Sequence, residues 1–512
     1  MHLTSLLDIV ADALPDRTAV GPQGRGLTYQ DLLQRAQAVS RDLRRREAER
    51  LVAVDVNSEA VPLGLFAAAV AGIPYVPVNY RLADAQLAAI LERAAPGLAV
   101  VEASVPARFP DGIPGLSMTS RADFLQADGP DAPAASDDAD DPAVLLFTSG
   151  TTGEPKAAVL RHRHLTSYVL ETVEFLGAES GDAALVSVPP YHIAGIAAVL
   201  TSVWSGRRLV YLPQFSPEAW VDLAAAEAVT HAMVVPTMLD RILDVLHERG
   251  EKLPALQHLS YGGGRMPVAI VERALDHLPH VGLVNAYGLT ETSSTVAVLG
   301  PEDHRQAIAS SEPSVRIRLG SVGRPLPNLE VEIRGSSGQL LGSGDHGEIW
   351  VRGEQVSGEY LGRGGAVNAD GWLATNDGGW LDADGYLFVE GRLDDVIVRG
   401  GENLSPGEIE DVLAQHPAVA EAAVIGIPSD EWGEAVAAVV VVRNRHDANA
   451  AALPGDEPGD ALKGELRVWV SERLRSTRAP ERIEFRTELP YSDTGKLLRR
   501  VLKAELSPGP TD

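Results

Sequence analysis

Cysteine is absent from all 512 residues. Disulfides, thiolate nucleophiles and zinc–thiolate sites are excluded with it. Basic residues are short: 44 stand against 71 acids, for a net charge of −27. That balance disfavours nucleic acid or an anionic membrane as a main partner, though a locally positive site can still hold a small anion. Long apolar runs are missing too. None reaches the roughly 18 residues of a membrane span without a charge or a proline. "LFAAAVAGIPYVPV" comes closest, and proline breaks it. The N-terminal "MHLTSLLDIV" lacks a basic n-region, a full apolar h-region and an A-x-A site. No membrane insertion and a cytoplasmic location are the expectation.

What remains is ordinary for a soluble globular chain: 45% apolar, 22% charged and only 5% aromatic. The length allows three or four domains or subdomains at roughly 100–200 residues each. Residues 28–49, "TYQDLLQRAQAVSRDLRRREAE", read as an amphipathic helix with Thr28 as N-cap and Leu32, Leu33, Ala36 and Val39 on its apolar side. Short buried strands follow, separated by helices: "LVAVDV", "GLAVVE", "AVLLFT", "ALVSVPP", "RRLVYLP", "HAMVVP", "HLSYGGG" and "GLVNAYG". This alternation predicts α/β architecture with largely parallel sheets. The stretch 127–142 reads as a surface linker.

From about residue 320 the texture changes. "LEVEIRG", "GEIWVRG" and "GYLFVEG" alternate in polarity between Gly, Asp and Asn, which predicts hairpins or a small β-barrel. A new αβ unit begins near "GRLDDVIVRGGENLSPGEIE". There Ser405 is the expected N-cap, Pro406 the first helical residue and Glu408 the capping-box partner. Residues 447–460 read as a surface insertion.

Several stretches point to chemistry. "TSGTTGEPK" (148–156) leaves a buried strand and spends glycines and hydroxyls on one loop. Backbone N–H groups and the side chains of Thr148, Ser149, Thr151 and Thr152 around Gly150 can wrap phosphate oxygens, with Lys156 as a mobile cation. The loop does not match G-x-x-x-x-G-K-[ST], so a helix-terminus cradle is not implied. A polar surface loop is the plain alternative.

With "NAYGLTET" (285–292), "ATNDGGWLDADGYLFVEGRLDD", "RGGENLSPGEIE" and "YSDTGKLLRR" in that order, the chain resembles the adenylate-forming superfamily. That group includes acyl-CoA and aryl-CoA ligases, luciferases and peptide-synthetase adenylation domains. The resemblance implies a large N-terminal domain of αβ subdomains (1–391), a hinge (392–394) and a mobile α+β C-terminal domain (395–512). It implies ATP, magnesium and coenzyme A as reactants and cofactors, and a small carboxylic acid as substrate.

The same resemblance assigns residues. Tyr287 would stack on adenine, with Gly288 allowing close approach and Gly262, Gly263, Asn285 and Ala286 lining the nucleotide. Glu291 would bind magnesium, which needs few protein carboxylates, and Thr290 would touch the α-phosphate. Asp377 and Arg392 would hold the ribose. The family usually has Gly where Asn376 stands, and Asn tolerates left-handed backbone better than most residues. Lys496 would bridge the acyl carboxylate and α-phosphate. His192 would line and gate the acid pocket beside Gly195, Gly264 and Gly288. Asp394 marks the hinge, and Gly400, Gly401 and Glu402 the coenzyme A tunnel. His162 and His164 read as a polar helix start.

"YGGGRMP" departs from the family's commoner "SGGAPLS" type. Gly264 could leave room for an aromatic ring. Arg265 meets either a second polar group of the substrate or solvent. The expected reaction is acyl-adenylate formation followed by thioester formation with coenzyme A, on an aromatic or medium-chain acid. The alternatives are transfer to an acyl carrier protein, transfer to an amine- or nitrite-type acceptor, and a non-enzymatic nucleotide sensor. A homodimer is compatible with the resemblance.

Overall fold

Valine- and leucine-rich strands with both faces apolar need helices on both sides, and the N-terminal part builds two such sheets. The computed structural model describes residues 1–109, 111–129, 137–148, 156–429, 431–443, 460–492 and 497–507. One sheet has six strands in the order Leu116–Ser120, Gly97–Val101, Leu51–Val54, Tyr75–Pro77, Pro142–Thr148, Lys156–Arg161. All neighbours are parallel except the last pair. The other has nine strands, with a parallel centre running through Gly282–Leu289, His258–Gly262, His231–Val234, Ala183–Val186 and Arg208–Tyr211.

Helices pack between and around these sheets. Ala60–Ala71 is apolar on every side and almost wholly buried, as a helix in the middle of a layered core must be. Tyr29–Arg45 carries the expected Thr28 cap, completed as a capping box by Asp31. Leu32, Ala36 and Val39 are buried, and Leu33 is partly buried against the same core. Asn57 ties the two sheets together: its amide donates to the carbonyls of Val188 (2.9 Å) and Leu212 (3.4 Å).

The alternating segments after residue 320 form a four-stranded antiparallel sheet in chain order: Glu330–Arg334, Gly347–Arg352, Leu373–Leu381, Leu387–Arg392. Among the described residues its first and last strands do not pair, so this is an open sheet and not the small barrel expected. The C-terminal unit is a five-stranded sheet centred on Gly433–Val442 with helices Pro406–Ala414, Asp460–Arg473 and Arg499–Leu506. The insertion at 447–460 lies outside the described residues except for Asp460, and the linker at 127–142 is described only at its two ends. No helix among the described residues is long and apolar enough to cross a membrane.

Two local expectations need correction. Ser405 and Pro406 do start a helix, but no side-chain cap forms there. The Ser405 hydroxyl instead donates to the Glu390 carbonyl (3.1 Å), and Glu408 pairs with Arg478 (3.0 Å). Tertiary partners outcompete the local box. His162 and His164 start the helix His162–Thr172, but each is only 1% exposed. His162 stacks on His2 with ring centroids 3.5 Å apart and accepts from the Leu3 N–H.

Burial holds these imidazoles neutral. It pushes His162 down to about 3, with the neighbouring His2 and the chain's amino terminus adding to the effect. It pushes His164 down to about 4, helped by Arg163 and Arg161. The unfolded chain, with histidines near 6.5, binds more protons below that pH, so folded-state stability from each group is present above about 6.5 and lost as pH falls. At pH 5 the loss approaches about 2 kcal/mol per histidine. Buried Asp55 and partly exposed Asp240, whose carboxyls are raised by desolvation, act in the opposite sense. Urea unfolding at pH 7 and pH 5 should therefore show a smaller drop in stability for His162→Asn than for wild type. Equal drops would remove His162 from the acid sensitivity.

Candidate functional site

The strands flanking the hydroxylated loop are antiparallel, and Thr148 pairs with Lys156. The chain enters and leaves the loop through a hairpin ladder, in line with the missing helix-type phosphate motif. The Thr148 hydroxyl donates to the Lys156 carbonyl at 3.4 Å. Ser149, Gly150, Thr151 and Thr152 lie outside the described residues.

Lys156 leads to a residue that motif reading missed. Its Nζ lies 5.7 Å from the centre of the Tyr360 ring, within cation–π range. The Tyr360 hydroxyl donates to Glu291 Oε1 at 2.5 Å. Burial, and then the Glu291 charge, push the phenol pKa up, so it stays a donor. The 357–361 segment is laced along the edge strand Lys156–Arg161. Leu361 N–H donates to the Ala157 carbonyl, Val159 N–H to the Glu359 carbonyl, and Arg161 grips Glu359 through two contacts of 2.9 Å. On the other side, Ser357 N–H donates to the Glu291 carbonyl. A tyrosine in a glycine-flanked loop far from every motif gives no sequence signal of this role.

Thr290 and Glu291 occupy a single 3-10 turn at the end of Gly282–Leu289. The turn is followed by two non-glycine residues at positive φ, Ser293 (54°) and Ser294 (117°). Such backbone persists only where the surroundings over-determine it. Here the Gln355 amide donates to the carbonyls of Thr292 and Thr295. Gly288 is obligatory for a nearer reason: a Cβ there would lie 1.7 Å from the Ser294 carbonyl oxygen. The register shifts between Tyr287 and Gly288, as in a bulge.

Tyr287 reaches from this strand to the small sheet. Its hydroxyl donates to Asp377 Oδ2 at 2.7 Å, and burial followed by the Asp377 charge raises its pKa. Arg392 Nη1 meets Asp377 Oδ1 and the Thr375 carbonyl, both at 3.1 Å. Asp377 is 5% exposed. Beside it, Asn376 adopts φ +59°, the left-handed backbone for which Asn substitutes for Gly. Its amide does more than tolerate the turn, donating to Asp394 Oδ2 at 2.8 Å. Asn285 turns away, its amide on the Ser321 carbonyl (3.0 Å).

The 262–264 glycines follow strand His258–Gly262. A Cβ on Gly262 would lie 2.3 Å from the Ala286 carbonyl oxygen, Gly263 sits at φ +78°, and Gly264 has nothing nearer than 3.8 Å. That loop thus leaves an open face beside Tyr287's strand. Arg265 faces neither substrate space nor open solvent alone; it pairs with Asp411 of the C-terminal unit.

His192 caps helix Ile193–Ser205, its Nδ1 accepting from Ala194 N–H at 3.2 Å. Gly195 packs against the backbone of Pro189 and Pro190, so its missing side chain is a matter of close approach and not of pocket space. Gly400 (φ +57°) and Gly401 (φ +83°) are the two turn residues between Arg399 and Glu402, which pair. A tight hairpin with both turn residues at positive φ requires glycine by itself. A Cβ on Gly401 would meet nothing within 4 Å. Glu402 lies 3.7 Å from Arg478. Lys496 is outside the described residues, but Tyr491 and Ser492 just before it line a cleft of about 290 Å³.

That cleft is walled by Pro189, Pro190, Phe215, Val235, Met238 and Tyr80, with Arg81 and Arg241 at its polar side. Two buried oxygens on its lining, Asn57 Oδ1 and Ser187 Oγ, have no partner among the described residues. Unpaired buried acceptors cost free energy unless a ligand or water meets them. The residues also fit a nucleotide and its metal. Glu291 offers a half-buried carboxylate with one oxygen held by Tyr360. Among the described residues no three His, Asp or Glu cluster as a metal cage, and magnesium on triphosphate needs none, keeping its waters and phosphate oxygens.

The family model "AMP-binding enzyme" matches residues 7–361, and "AMP-binding enzyme C-terminal domain" matches 408–496. A feruloyl-CoA synthase from an Amycolatopsis species is 33% identical over 499 residues, 95% of each chain. A fatty acid–acyl-carrier-protein ligase from Streptomyces coeruleorubidus is 32% identical over 510 residues, 96% of this chain and 93% of that one. The structure of o-succinylbenzoate CoA synthetase from Bacillus subtilis with its acyl-adenylate intermediate superposes with a TM-score of 0.82 at 27% identity, covering 97% of both chains. With two domain models in the expected order and a site assembled from their motifs, the chain belongs to the AMP-binding, adenylate-forming enzyme family.

Proposed function

We propose that this AMP-forming ligase activates an aromatic or medium-chain carboxylic acid and transfers it to the thiol of coenzyme A. The observation that carries the reading is one chain of contacts joining motifs remote in sequence: Lys156 to Tyr360, Tyr360 to Glu291, and, four residues back along the same strand, Tyr287 to Asp377 and Arg392. It lays out cation, carboxylate, aromatic ring and acidic ribose acceptor in the sequence that a nucleoside triphosphate would need.

In this reading the carboxylate of the acid attacks the α-phosphorus of ATP. The bond to the bridging oxygen breaks, and pyrophosphate leaves with the electron pair. Lys496 lies between the two anions and offsets their repulsion. Asp377 accepts from the ribose hydroxyls while Arg392 orients it. Glu291 would hold magnesium, which when bound neutralises phosphate charge. The coenzyme A thiolate then attacks the acyl carbonyl and AMP departs. No enzyme nucleophile is needed, which suits a chain without cysteine. We place the hinge at 392–394, between an N-terminal domain of 1–391 and a C-terminal domain of 395–512, with Gly400 and Gly401 approaching the thiol in the second step.

The cleft beside Val235 and Met238 is assigned to the acid. Its size sits at the lower end of ligand pockets, about 300–1,000 Å³, which favours one ring or a medium chain over a long one. The feruloyl-CoA synthase similarity supports an aromatic acid. The carrier-protein ligase, similar to nearly the same degree, supports a phosphopantetheinyl protein as the second reading for the acceptor. Pyrophosphate release over a panel of aromatic and C6–C12 acids, with mass detection of acyl-CoA, tests the proposal. Release without acyl-CoA in the presence of coenzyme A would move the acceptor to a carrier protein.

Two substitutions follow. Lys496→Ala should slow acid-dependent pyrophosphate exchange about a hundredfold or more, the scale of losing one charge-stabilising donor, and leave thioester formation from supplied acyl-adenylate nearly intact. Equal losses in both half-reactions would count against the lysine's assignment. Asp377→Asn should raise the KM for ATP by about ten- to a hundredfold, the worth of a charge-assisted hydrogen bond, with little change in the KM for the acid. An unaltered ATP response would remove Asp377 from the ribose site.

A further inference from the structure

With Gly264, Arg265 is where "YGGGRMP" departs from the family's usual pattern, and the structure gives it a partner on the other side of the proposed hinge. Its Nη2 pairs with Oδ2 of Asp411, on helix Pro406–Ala414. The fit is close. A Cβ added to Gly407 would lie 1.7 Å from Arg265 Nη1 and 2.8 Å from Cζ, so the Nη1 end of the guanidinium abuts the first turn of that helix. A cation at a helix N-terminus is opposed by the macrodipole. It is tolerated here because Asp411 faces it directly.

The same relative orientation puts Tyr491 and Ser492, which precede Lys496, on the wall of the acid cleft opposite Val235 and Met238. Glu421, hydrogen-bonded to Tyr491 at 3.1 Å, faces Asp240 and Arg241 of the N-terminal domain. The Arg265–Asp411 contact therefore belongs to the arrangement in which Tyr491 and Ser492 line that cleft. It joins the loop at the nucleotide's edge directly to the domain that must turn. A rotation about 392–394 that brings the Gly400 hairpin to the cleft carries Asp411 away from Arg265.

We propose that Arg265 is a positioning residue: with Asp411 across it and Gly407 beneath it, it latches the C-terminal domain in the adenylate-forming orientation and is released for thiol transfer. The latch rests on the two-step reading above for its consequence in catalysis, but not for its existence. Both side chains are partly exposed, at 42% and 36%. Such a pair shifts a two-state balance by about two- to fivefold, enough to bias the domain without locking it.

The test uses the full-length chain, whose lack of native cysteine leaves a clean background for labels. Spin labels at Glu248→Cys and Glu472→Cys, both exposed positions on opposite domains, report the interdomain distance by pulsed EPR. Wild type should show one dominant distance. Arg265→Ala should move about two- to fivefold more of the population to a second distance. Gly407→Ala should do the same while the melting temperature holds or rises, because alanine favours the helix but displaces the guanidinium. The exchanged pair Arg265→Asp with Asp411→Arg should restore the first distance. In activity, Arg265→Ala should slow acid-dependent pyrophosphate exchange by a similar factor and not slow thioester formation from supplied acyl-adenylate. A distance distribution unchanged in Arg265→Ala, an exchanged pair that behaves like the single variants, or equal loss in both half-reactions would overturn the latch. Because the distance readout needs no substrate, a wild-type enzyme that releases no pyrophosphate with any acid would refute the functional reading and leave the latch to be decided by EPR.

Discussion

The Asp377 carboxylate, held between the Tyr287 hydroxyl and the Arg392 guanidinium, is the contact on which the rest of the molecule turns. Tyr287 comes from the large parallel sheet. Asp377 and Arg392 come from neighbouring strands of the small antiparallel sheet, where they pair directly. A carboxylate this buried must be compensated by donors. Satisfying it from both sides docks the small sheet on the large one. Arg392 is also the last residue of its strand, so the same contact sets the direction in which the chain enters the proposed hinge.

Charge is arranged locally against the global balance. The chain carries −27 overall, yet the proposed site collects Lys156 and Arg392. Each described cation is already paired with something that orients it: Lys156 with the Tyr360 ring, Arg392 with Asp377. An acidic surface elsewhere costs the site little, because exposed charges beyond about 10 Å are screened. The acidic residues that matter, Glu291 and Asp377, are those with hydroxyl donors at hydrogen-bond distance.

Hydrogen-bond competition explains which local readings held. Asn376 at left-handed backbone followed from the glycine the family usually has there and from the tolerance of Asn for that conformation, and Thr28 with Asp31 formed the local box that its spacing allows. Ser405 had equally good local chemistry, but its hydroxyl donates to the Glu390 carbonyl on strand Leu387–Arg392 instead. The two histidines after Arg161 looked polar by type. They became core because the N-terminal segment folds back over them, and its His2 stacks on His162. The antiparallel strands after residue 320 were evident from alternation. Whether they closed depended on pairings between their first and last members, which alternation does not encode.

Sequence by itself determined the order of alternating strands and helices, the absence of thiol chemistry, and the motifs that place the chain in its family. These are local patterns of burial, turn chemistry and residue type, and each survives in any arrangement of the domains. Only the tertiary structure decided that Tyr360 bridges Lys156 and Glu291, that Asn376 holds Asp394, and that Arg265 reaches Asp411. Most of these join residues far apart along the chain, and hydrogen bonds and ion pairs act over a few ångströms. Which side chains come that close is set by how the sheets and domains pack, not by the spacing of letters along the chain.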